Sequence, residues 1–583
     1  MIEEKLMAAA VMAAHAPVPA VMTGSEILCE ALIREGVDTI FGYPGGAVLH
    51  IYDELGRRQD TIRHVLGRHE QGVLHMAEGY AKATGKVGVA LVTSGPGATN
   101  AVTGIANAFM DSTPLVVITG QVPTKLIGKD AFQEIDTVGI TRPCSKYNYL
   151  VKDVSDLANV VKEAFHIAST GRPGPVIIDI PKDVTAAKTE FLYPRKLNMR
   201  AYRPGLQADP ELAARAAEMI YQARRPILYV GGGVVHSNAA DELTELAERF
   251  DLPVTTTLMG LGCFPSGHPL GLGMLGMHGG YWANMAISEA DVIVAIGARF
   301  DDRVTGALES FARHAEIIHI DVDSSQVSKN VRAHIPLVAD AKSALRQILR
   351  SMPDGSNAAR NQDMREWWAK IAEWKKHAPL AYERSETVIK PQHLIEELYN
   401  LTDGDAIIST DVGQHQMWLA QFYPFRGPRQ SITSGGLGTM GFGFPSALGA
   451  QLAFPDRQVI AFVGDGGFQM TAQELATAVQ YKTNTKIVIM NNNYLGMVRQ
   501  WQALFYKGQY SAVSMEGSPD FVKLAEAYGA SGVRITSPRK MREELRLALD
   551  TPGVVVIEVV VEEEENVYPI VAPGSGLKEM ILG

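Results

Sequence analysis

Short unbroken apolar runs recur along nearly the whole chain, separated by longer stretches whose apolar positions have helical spacing. VGVALVTSG is followed by the helical ATNAVTGIANAFMD and then by PLVVITG, with PVIIDIP further on. QVIAFVGDGG, FQMTAQELATAVQ and KIVIMNNN repeat the same grammar near the C-terminus, and PILYVGGGV, DVIVAIGARFDD and IIHIDVD form a third block between the two. Strand–helix–strand alternation of this kind predicts parallel sheets with helices on both faces. The expected fold is α/β, with three doubly wound parallel-sheet domains at residues 23–187, 208–350 and 391–561, flanked by tails at 1–22 and 562–583. The first and third blocks read as distant copies of one layout. Polar, proline-containing connectors are expected from Lys188 to Pro210 and from Ser351 to about Pro391, the second containing PDGSNAARNQD. Thr23-Gly24-Ser25-Glu26 has the form of a helix-capping box.

A chain of 583 residues is too long for one compact core, which agrees with several domains. The net charge of −10 comes without a basic stripe, which argues against nucleic acid as a partner. Cys29, Cys144 and Cys263 show no CxxC pairing and no metal spacing, so they read as small buried side chains in a reducing compartment. No apolar run is long enough to span a bilayer. The opening MIEEKLMAAAVMAAHAPVPA starts acidic and its short apolar part contains His15, whereas a secretory signal needs a positive start. It reads as a tail, and the expected location is cytoplasmic.

Gly464-Asp465-Gly466 ends one apolar strand, and a helix and a further strand lead to Asn491-Asn492. Ligands of parallel sheets bind beyond the carboxyl ends of strands, so Asp465 and Asn492 should face one site. A carboxylate, an amide oxygen and a nearby carbonyl are hard donors that suit Mg²⁺, which fills its remaining positions with phosphate and water. Gly466 and Gly467 allow backbone N–H groups to approach a diphosphate at a helix start. GDG and NN, joined by this helix and strand, resemble the thiamine-diphosphate enzymes. In that chemistry a thiazolium carbon must lose a proton. The cofactor's own aminopyrimidine removes it, provided a carboxylic acid in an apolar pocket hydrogen-bonds the far ring nitrogen.

The resemblance implies that Glu70, in RHEQG, is that acid, and that Asp465, Asn492 and the main-chain carbonyl of Tyr494 hold the metal. It implies cofactor contacts from Pro96 and Asn100 in SGPGATN, from Gly413, Gln414 and His415 in DVGQHQMW, and from Gly464, Gly466, Gly467, Gly496 and Met497. Met440, in GGLGTMGFG, matches the bulky residue that props the cofactor in its bent form, and Gly438 would hydrogen-bond the aminopyrimidine through its backbone. The motif reads GDGGF, at a second glycine where family members vary, and no ligand is altered.

From Thr23 onwards the long blocks FGYPGGAVL, RHEQGVLHMAEGYA, GRPGPVIIDIPKDV, GARFDDRVTG and NNNYLGMVRQWQ are similar to the acetohydroxyacid synthases (acetolactate synthases). That family decarboxylates pyruvate and transfers the hydroxyethyl unit to pyruvate or 2-oxobutanoate. The products, 2-acetolactate and 2-aceto-2-hydroxybutanoate, feed branched-chain amino acid biosynthesis. The resemblance further implies a non-redox FAD held by Arg172, Gly231, Gly232, Gly233, Thr257, Leu258, Met259, Leu275, Met277, His278, Gly297, Arg299, Asp301, Arg303, Asp321, Val322 and Asp340. Three glycines after a strand suit a pyrophosphate, and Asp321 at a strand end suits a hydroxyl donor. It places Gly46, Gln133 and Lys182 at the catalytic centre, and Trp501, Phe132, Met277 and Arg303 against substrate. A homodimer or homotetramer and a separate small regulatory subunit are implied as well, with no nucleic acid and no membrane. A flavin enzyme of the pyruvate oxidase kind, and a catalytically silent homologue acting as a binding subunit, are the alternatives.

Overall fold

The computed structural model describes residues 21–353 and 358–583. The tail at 1–22 lies outside these residues except for its last two. The first sheet contains the strands Thr39–Tyr43, Arg63–Leu66, Gly88–Val92, Leu115–Gln121, Tyr147–Leu150 and Pro175–Pro181, all parallel. Counted along the chain, they lie side by side in the order 2-1-3-4-6-5. The third sheet is built from Ile407–Thr410, Ser431–Ile432, Val459–Gly464, Lys486–Asn491, Ser531–Ile535 and Val555–Val560, in the same order and again parallel. The two blocks that read as copies of one layout therefore share a topology. The middle sheet differs: Pro226–Val230, Val254–Thr256, Gly271–Met274, Val292–Ile296, Glu316–Asp321 and Ile335–Val338 lie in the order 3-2-1-4-5-6. That is the order of dinucleotide-binding sheets.

The apolar runs explain why these sheets are covered on both faces. Gly88–Val92, Leu115–Gln121 and Pro175–Pro181 are buried at every position, as strands of a doubly wound sheet must be. The first and third sheets share one core between them, while each keeps a second core on its other face. One apolar cluster runs from Phe41, Val65 and Val92 through Met76, Tyr80 and Leu448 to Val463 and Ile489. Its centre is a helix crossing, Glu70–Thr84 against Gly443–Ala453. The two backbones approach so closely that a Cβ on Gly79 would sit 1.9 Å from the Ser446 carbonyl oxygen, and one on Gly449 1.9 Å from that of Met76.

The first domain opens on the capping box expected at Thr23: Glu26 N–H donates to Thr23 Oγ1 (3.3 Å) and Thr23 N–H to Glu26 Oε2 (2.7 Å). The stretch from Ser351 to Pro391, read as a connector, instead holds the helix Ala358–His377. Its polar composition conceals an apolar stripe, Met364, Trp367 and Ile371, buried in the core of the middle domain. Trp367 Nε1 also donates to the Pro226 carbonyl (3.1 Å), which leaves the indole both buried and satisfied. The C-terminal segment is a strap. Arg499 Nη2 donates to the Glu565 carbonyl (3.1 Å) in the third domain, while Val571 N–H donates to the Met277 carbonyl (2.9 Å) in the middle one. Among the described residues no helix is long and apolar enough to cross a membrane.

Candidate active site

The order of the third sheet reverses between Ile407–Thr410 and Val459–Gly464, and the crevice outside the carboxyl ends of such a pair is where open α/β sheets bind ligands. Asp411-Val412-Gly413 and Gly464-Asp465 leave the sheet at this point, and Asn492 follows the neighbouring strand Lys486–Asn491. A pocket opens there. Its lining gathers Gly413, Gln414, His415, Met440, Gly464, Asp465, Gly466, Gly467, Asn492, Tyr494, Gly496 and Met497, together with Val412, Trp418, Met490, Leu495 and Val498.

Asp465 is buried, and one of its oxygens accepts from Gly466 N–H (2.9 Å) while the other, Oδ2, has no partner. Burial pushes its carboxyl up to about 7. An unpaired buried carboxylate oxygen costs free energy unless a cation or donor meets it. Asn492 is oriented by Gln414, whose Oε1 accepts from Asn492 Nδ2 (3.3 Å) and whose Nε2 donates to Gln500 Oε1 (2.8 Å). No cluster of three or more His, Cys, Asp or Glu that could hold a metal occurs among the described residues. The pocket offers one carboxylate, one amide and the Tyr494 carbonyl, so a cation here needs ligands brought by the molecule it binds. His415 is buried with Nε2 unpartnered, and burial lowers its pKa to about 4, so the imidazole is neutral and free to bond a ligand atom. Cβ atoms on Gly413 and Gly464 would stand 3.1 and 3.2 Å from its ring, which explains glycine at both positions.

Glu70 is the first residue of the helix Glu70–Thr84, capped by His69. It is buried, and its Oε2 accepts from Asn100 Nδ2 (3.0 Å). A Cβ on Gly97 would lie 3.4 Å from Oε1, so the turn containing Pro96 closes over the carboxyl. The turn before it is held by Glu474, which accepts from Arg68 N–H (3.0 Å), His69 N–H (3.1 Å) and Thr477 Oγ1 (2.7 Å). The sequence reading missed Glu474, whose sole signal was a lone acid in the helical run AQELATAV. Glu70, Pro96 and Asn100 are not in the lining of the pocket. Gln133 adopts a left-handed backbone (φ 61°) and packs on Gly95, whose Cβ would meet its Cα at 2.9 Å. Gly46 has open space around its Cα, Lys182 begins the helix Lys182–Ala186, and Phe132 is 89% exposed. Trp501 lies half-buried on the helix Gly496–Phe505, edge-on to Phe505, one turn beyond the pocket residues Met497 and Val498.

In the middle domain nearly all the residues singled out for FAD fall at the carboxyl edge of the sheet. Gly231, Thr257, Leu275, Gly297, Val322 and Asp340 follow its six strands, with Gly232, Gly233, Leu258, Met259, Met277, His278, Arg299 and Asp301 close behind. Asp321, the last residue of its strand, is pushed up to about 6 by burial. Arg172 reaches in from the first domain to Asp323 (3.3 Å). The glycines have an internal cause as well, since Cβ atoms on Gly231 and Gly233 would strike Gly297 at 2.3 and 2.6 Å. Asp340 is engaged as a helix cap, accepting from Ser343 N–H (3.1 Å), and Asp301 likewise from Arg303 N–H (3.0 Å). Arg303 extends into solvent beside Asp302.

Three family models match this chain: thiamine pyrophosphate enzyme, N-terminal TPP binding domain, over residues 22–140; the central domain of the same enzymes over 213–348; and their C-terminal TPP binding domain over 411–559. The chain is 49% identical to the acetolactate synthase isozyme 3 large subunit of Escherichia coli (strain K12), over 96% of this chain and 98% of that protein. It is 47% identical to the acetolactate synthase large subunit of Lactococcus lactis subsp. lactis (strain IL1403), over 96% of each. It is also 47% identical to a probable acetolactate synthase large subunit of Methanocaldococcus jannaschii, over 96% of this chain and 95% of that protein.

Proposed function

The chain belongs to the thiamine pyrophosphate enzymes, among the acetolactate synthase large subunits, and from that premise we propose that it joins two 2-oxo acids. Pyruvate loses carbon dioxide, and the remaining hydroxyethyl unit forms a carbon–carbon bond to the ketone of a second pyruvate or of 2-oxobutanoate. The product is 2-acetolactate or 2-aceto-2-hydroxybutanoate, on the way to branched-chain amino acids. The observation that carries this reading is the pocket at the reversal point of the third sheet, with the unpaired Asp465 oxygen beside Asn492 and the glycine turns.

Thiamine diphosphate would supply, when bound, a thiazolium ring whose carbon adds to the 2-oxo carbon and whose positive charge takes up the electron pair left by carbon dioxide. The protein's work is orientation and charge. Asp465, Asn492 and the Tyr494 carbonyl would hold Mg²⁺, and the N–H groups of Gly466 and Gly467 would meet the diphosphate. Gln414, His415, Gly413, Gly464, Gly496 and Met497 would hold it, Met440 would support the bound ring system, and the Gly438 backbone would offer a hydrogen bond to the exocyclic amine. Glu70, supported by Asn100 and covered by Pro96, holds a proton at the far nitrogen of the aminopyrimidine. As in the family it belongs to, the acid would come from a second copy of the chain, which makes a dimer the smallest active unit; the pocket lining, from Val412 to Val498, does not include Glu70. Gly46, Gln133 and Phe132 border the reacting atoms, while Lys182 and Arg303 pair with the substrate carboxylate. FAD would be held by the residues along the carboxyl edge of the middle sheet and would have no redox role in turnover. A small regulatory subunit binds separately. The three functional units are residues 23–187, residues 208–350 together with the helix Ala358–His377, and residues 391–561.

Two outcomes test this assignment. Exhaustive chelation should release thiamine diphosphate together with the metal, because three oxygen ligands cannot retain Mg²⁺ without the diphosphate. Activity should return only when both are added back, and full activity after chelation contradicts the assignment. Trp501 should decide the acceptor, its flat apolar face contacting the extra methyl of 2-oxobutanoate. In Trp501→Leu, competition between the two acceptors should shift towards acetolactate by about tenfold, the scale of one methylene contact. The check is the product ratio at fixed concentrations of both acids with thermal unfolding in parallel. An unchanged ratio in a folded variant would remove the selectivity role.

A further inference from the structure

The loop Ser434–Gly441 brings Met440 to the pocket, with Gly438 two residues before it, and half of its residues are glycine. Glycine has the greatest backbone freedom, so such a loop holds no single shape on its own. Gly438 and Gly441 stand in the left-handed region (φ 72° and 90°). The far end of the loop is anchored within its own domain, where Gly441 N–H donates to Asp411 Oδ1 (2.9 Å). At the near end Gln416 Nε2, also of its own domain, donates to the Ser434 carbonyl (3.1 Å), and the segment between meets one helix of the first domain, Val102–Met110, and the residue that follows it.

Asn107 on that helix is fully buried, and its Oδ1 accepts from both Ser434 Oγ (2.6 Å) and Thr439 Oγ1 (2.9 Å). Thr439 N–H in turn donates to Ser434 Oγ (2.8 Å), which closes the loop upon itself. One turn further on, Asp111 accepts from Gly436 N–H (2.6 Å) and Gly435 N–H (3.3 Å). Its charge is matched by Lys82, whose Nζ lies 2.6 Å from Asp111 Oδ2 and also donates to the Thr433 carbonyl (2.6 Å). Asn107 is itself fixed, because its Nδ2 donates to Glu78 Oε2 (2.7 Å) and the other Glu78 oxygen lies 3.0 Å from His75 Nδ1. Glu78 and His75 belong to the helix that Glu70 begins.

We propose that Asn107 and Asp111 are positioning residues: a helix of the first domain sets the shape of the third-domain loop that presents Gly438 and Met440 to the thiamine ring system. The inference rests on the thiamine diphosphate reading of the pocket. It touches neither the metal nor the substrate. The bent form of the cofactor depends on where Met440 stands, and Met440 stands where the buried polar contacts one and four residues before it hold the backbone.

The test uses the full-length protein and follows thiamine diphosphate binding through quenching of tryptophan fluorescence, Trp418 being in the pocket lining. Thr439→Val replaces the hydroxyl by a methyl and should weaken binding about tenfold, the upper end of the scale of one hydrogen bond lost, while Asn107 Oδ1 keeps its bond from Ser434 Oγ. Thermal unfolding of the cofactor-free protein should stay at the wild-type temperature, and Thr439→Ser, which keeps the hydroxyl, should restore the affinity. Asn107→Ala should cost at least as much as Thr439→Val, and the double variant no more than Asn107→Ala alone, since both sever the same contact. Should Asn107→Ala fail to fold, the contrast between Thr439→Val and Thr439→Ser decides by itself. Wild-type affinity in Thr439→Val, or losses that multiply in the double variant, overturns the inference. Wild-type protein that does not bind thiamine diphosphate at all overturns instead the reading beneath it.

Discussion

Replacing Glu70 by glutamine is expected to slow turnover by roughly tenfold to a thousandfold while the fold and most of the cofactor affinity survive. The substitution is nearly isosteric, and the amide oxygen can still accept from Asn100, which in the wild type donates to Glu70 Oε2 at 3.0 Å. The packing of the Gly97 turn over the side chain is equally preserved. What is lost is the ability to hand a proton to the aminopyrimidine and take it back, because an amide neither releases nor accepts one near neutral pH. The loss should therefore appear in the rate at which the cofactor's thiazolium proton exchanges with D₂O, measured by quenched NMR on the bound cofactor. It should not appear in the affinity for Mg²⁺, whose proposed ligands lie in the other domain. Wild-type exchange in the glutamine variant would remove Glu70 from the catalytic role.

Gly449→Ala is expected to destabilise the protein by about 3 kcal/mol or more, a large overpacking penalty for one methyl group. The added Cβ would stand 1.9 Å from the Met76 carbonyl oxygen, and the obstacle is backbone inside a fully buried helix crossing, which no rotamer change can clear. The two helices must move apart, and the one that moves begins with Glu70. Loss of thermal stability should therefore come with loss of activity even in the fraction that stays folded. Gly205→Ala is the control, since its Cβ meets nothing within 4 Å, and it should leave stability within about 0.5 kcal/mol of wild type. Equal unfolding temperatures for Gly449→Ala and wild type would show that the crossing is looser than drawn.

The strands were legible because a sheet covered on both faces requires uninterrupted apolar runs, and GGGV, GDGG and NNN each mark where such a run ends. The pocket was legible for the same reason: Gly413, Gly464 to Gly467 and Asn492 adjoin strand ends in sequence and so adjoin one another in space. The helix Ala358–His377 was not, because its stripe of Met364, Trp367 and Ile371 is sparse against many charged neighbours. Glu474, Asn107 and Asp111 escaped for a different cause. Each acts on a segment of the other domain, far along the chain, and nothing local marks a buried carboxylate or amide that accepts hydrogen bonds from so distant a turn. At Gly231 and Gly233 the sequence pointed to a ligand, and the packing of these residues on Gly297 supplies a second reason for glycine.

The most direct test of the account is the fate of the carbon atoms. Purified protein is supplied with thiamine diphosphate, Mg²⁺ and FAD, then given pyruvate alone or pyruvate with 2-oxobutanoate, and the products and released carbon dioxide are counted by mass spectrometry. The account predicts one carbon dioxide per molecule of 2-acetolactate from pyruvate alone, and mainly 2-aceto-2-hydroxybutanoate when both acids are present, with the flavin remaining oxidised. Acetyl phosphate or acetate formed with reduction of the flavin would contradict it in favour of an oxidase, and pyruvate left unconsumed would contradict it in favour of a silent binding subunit.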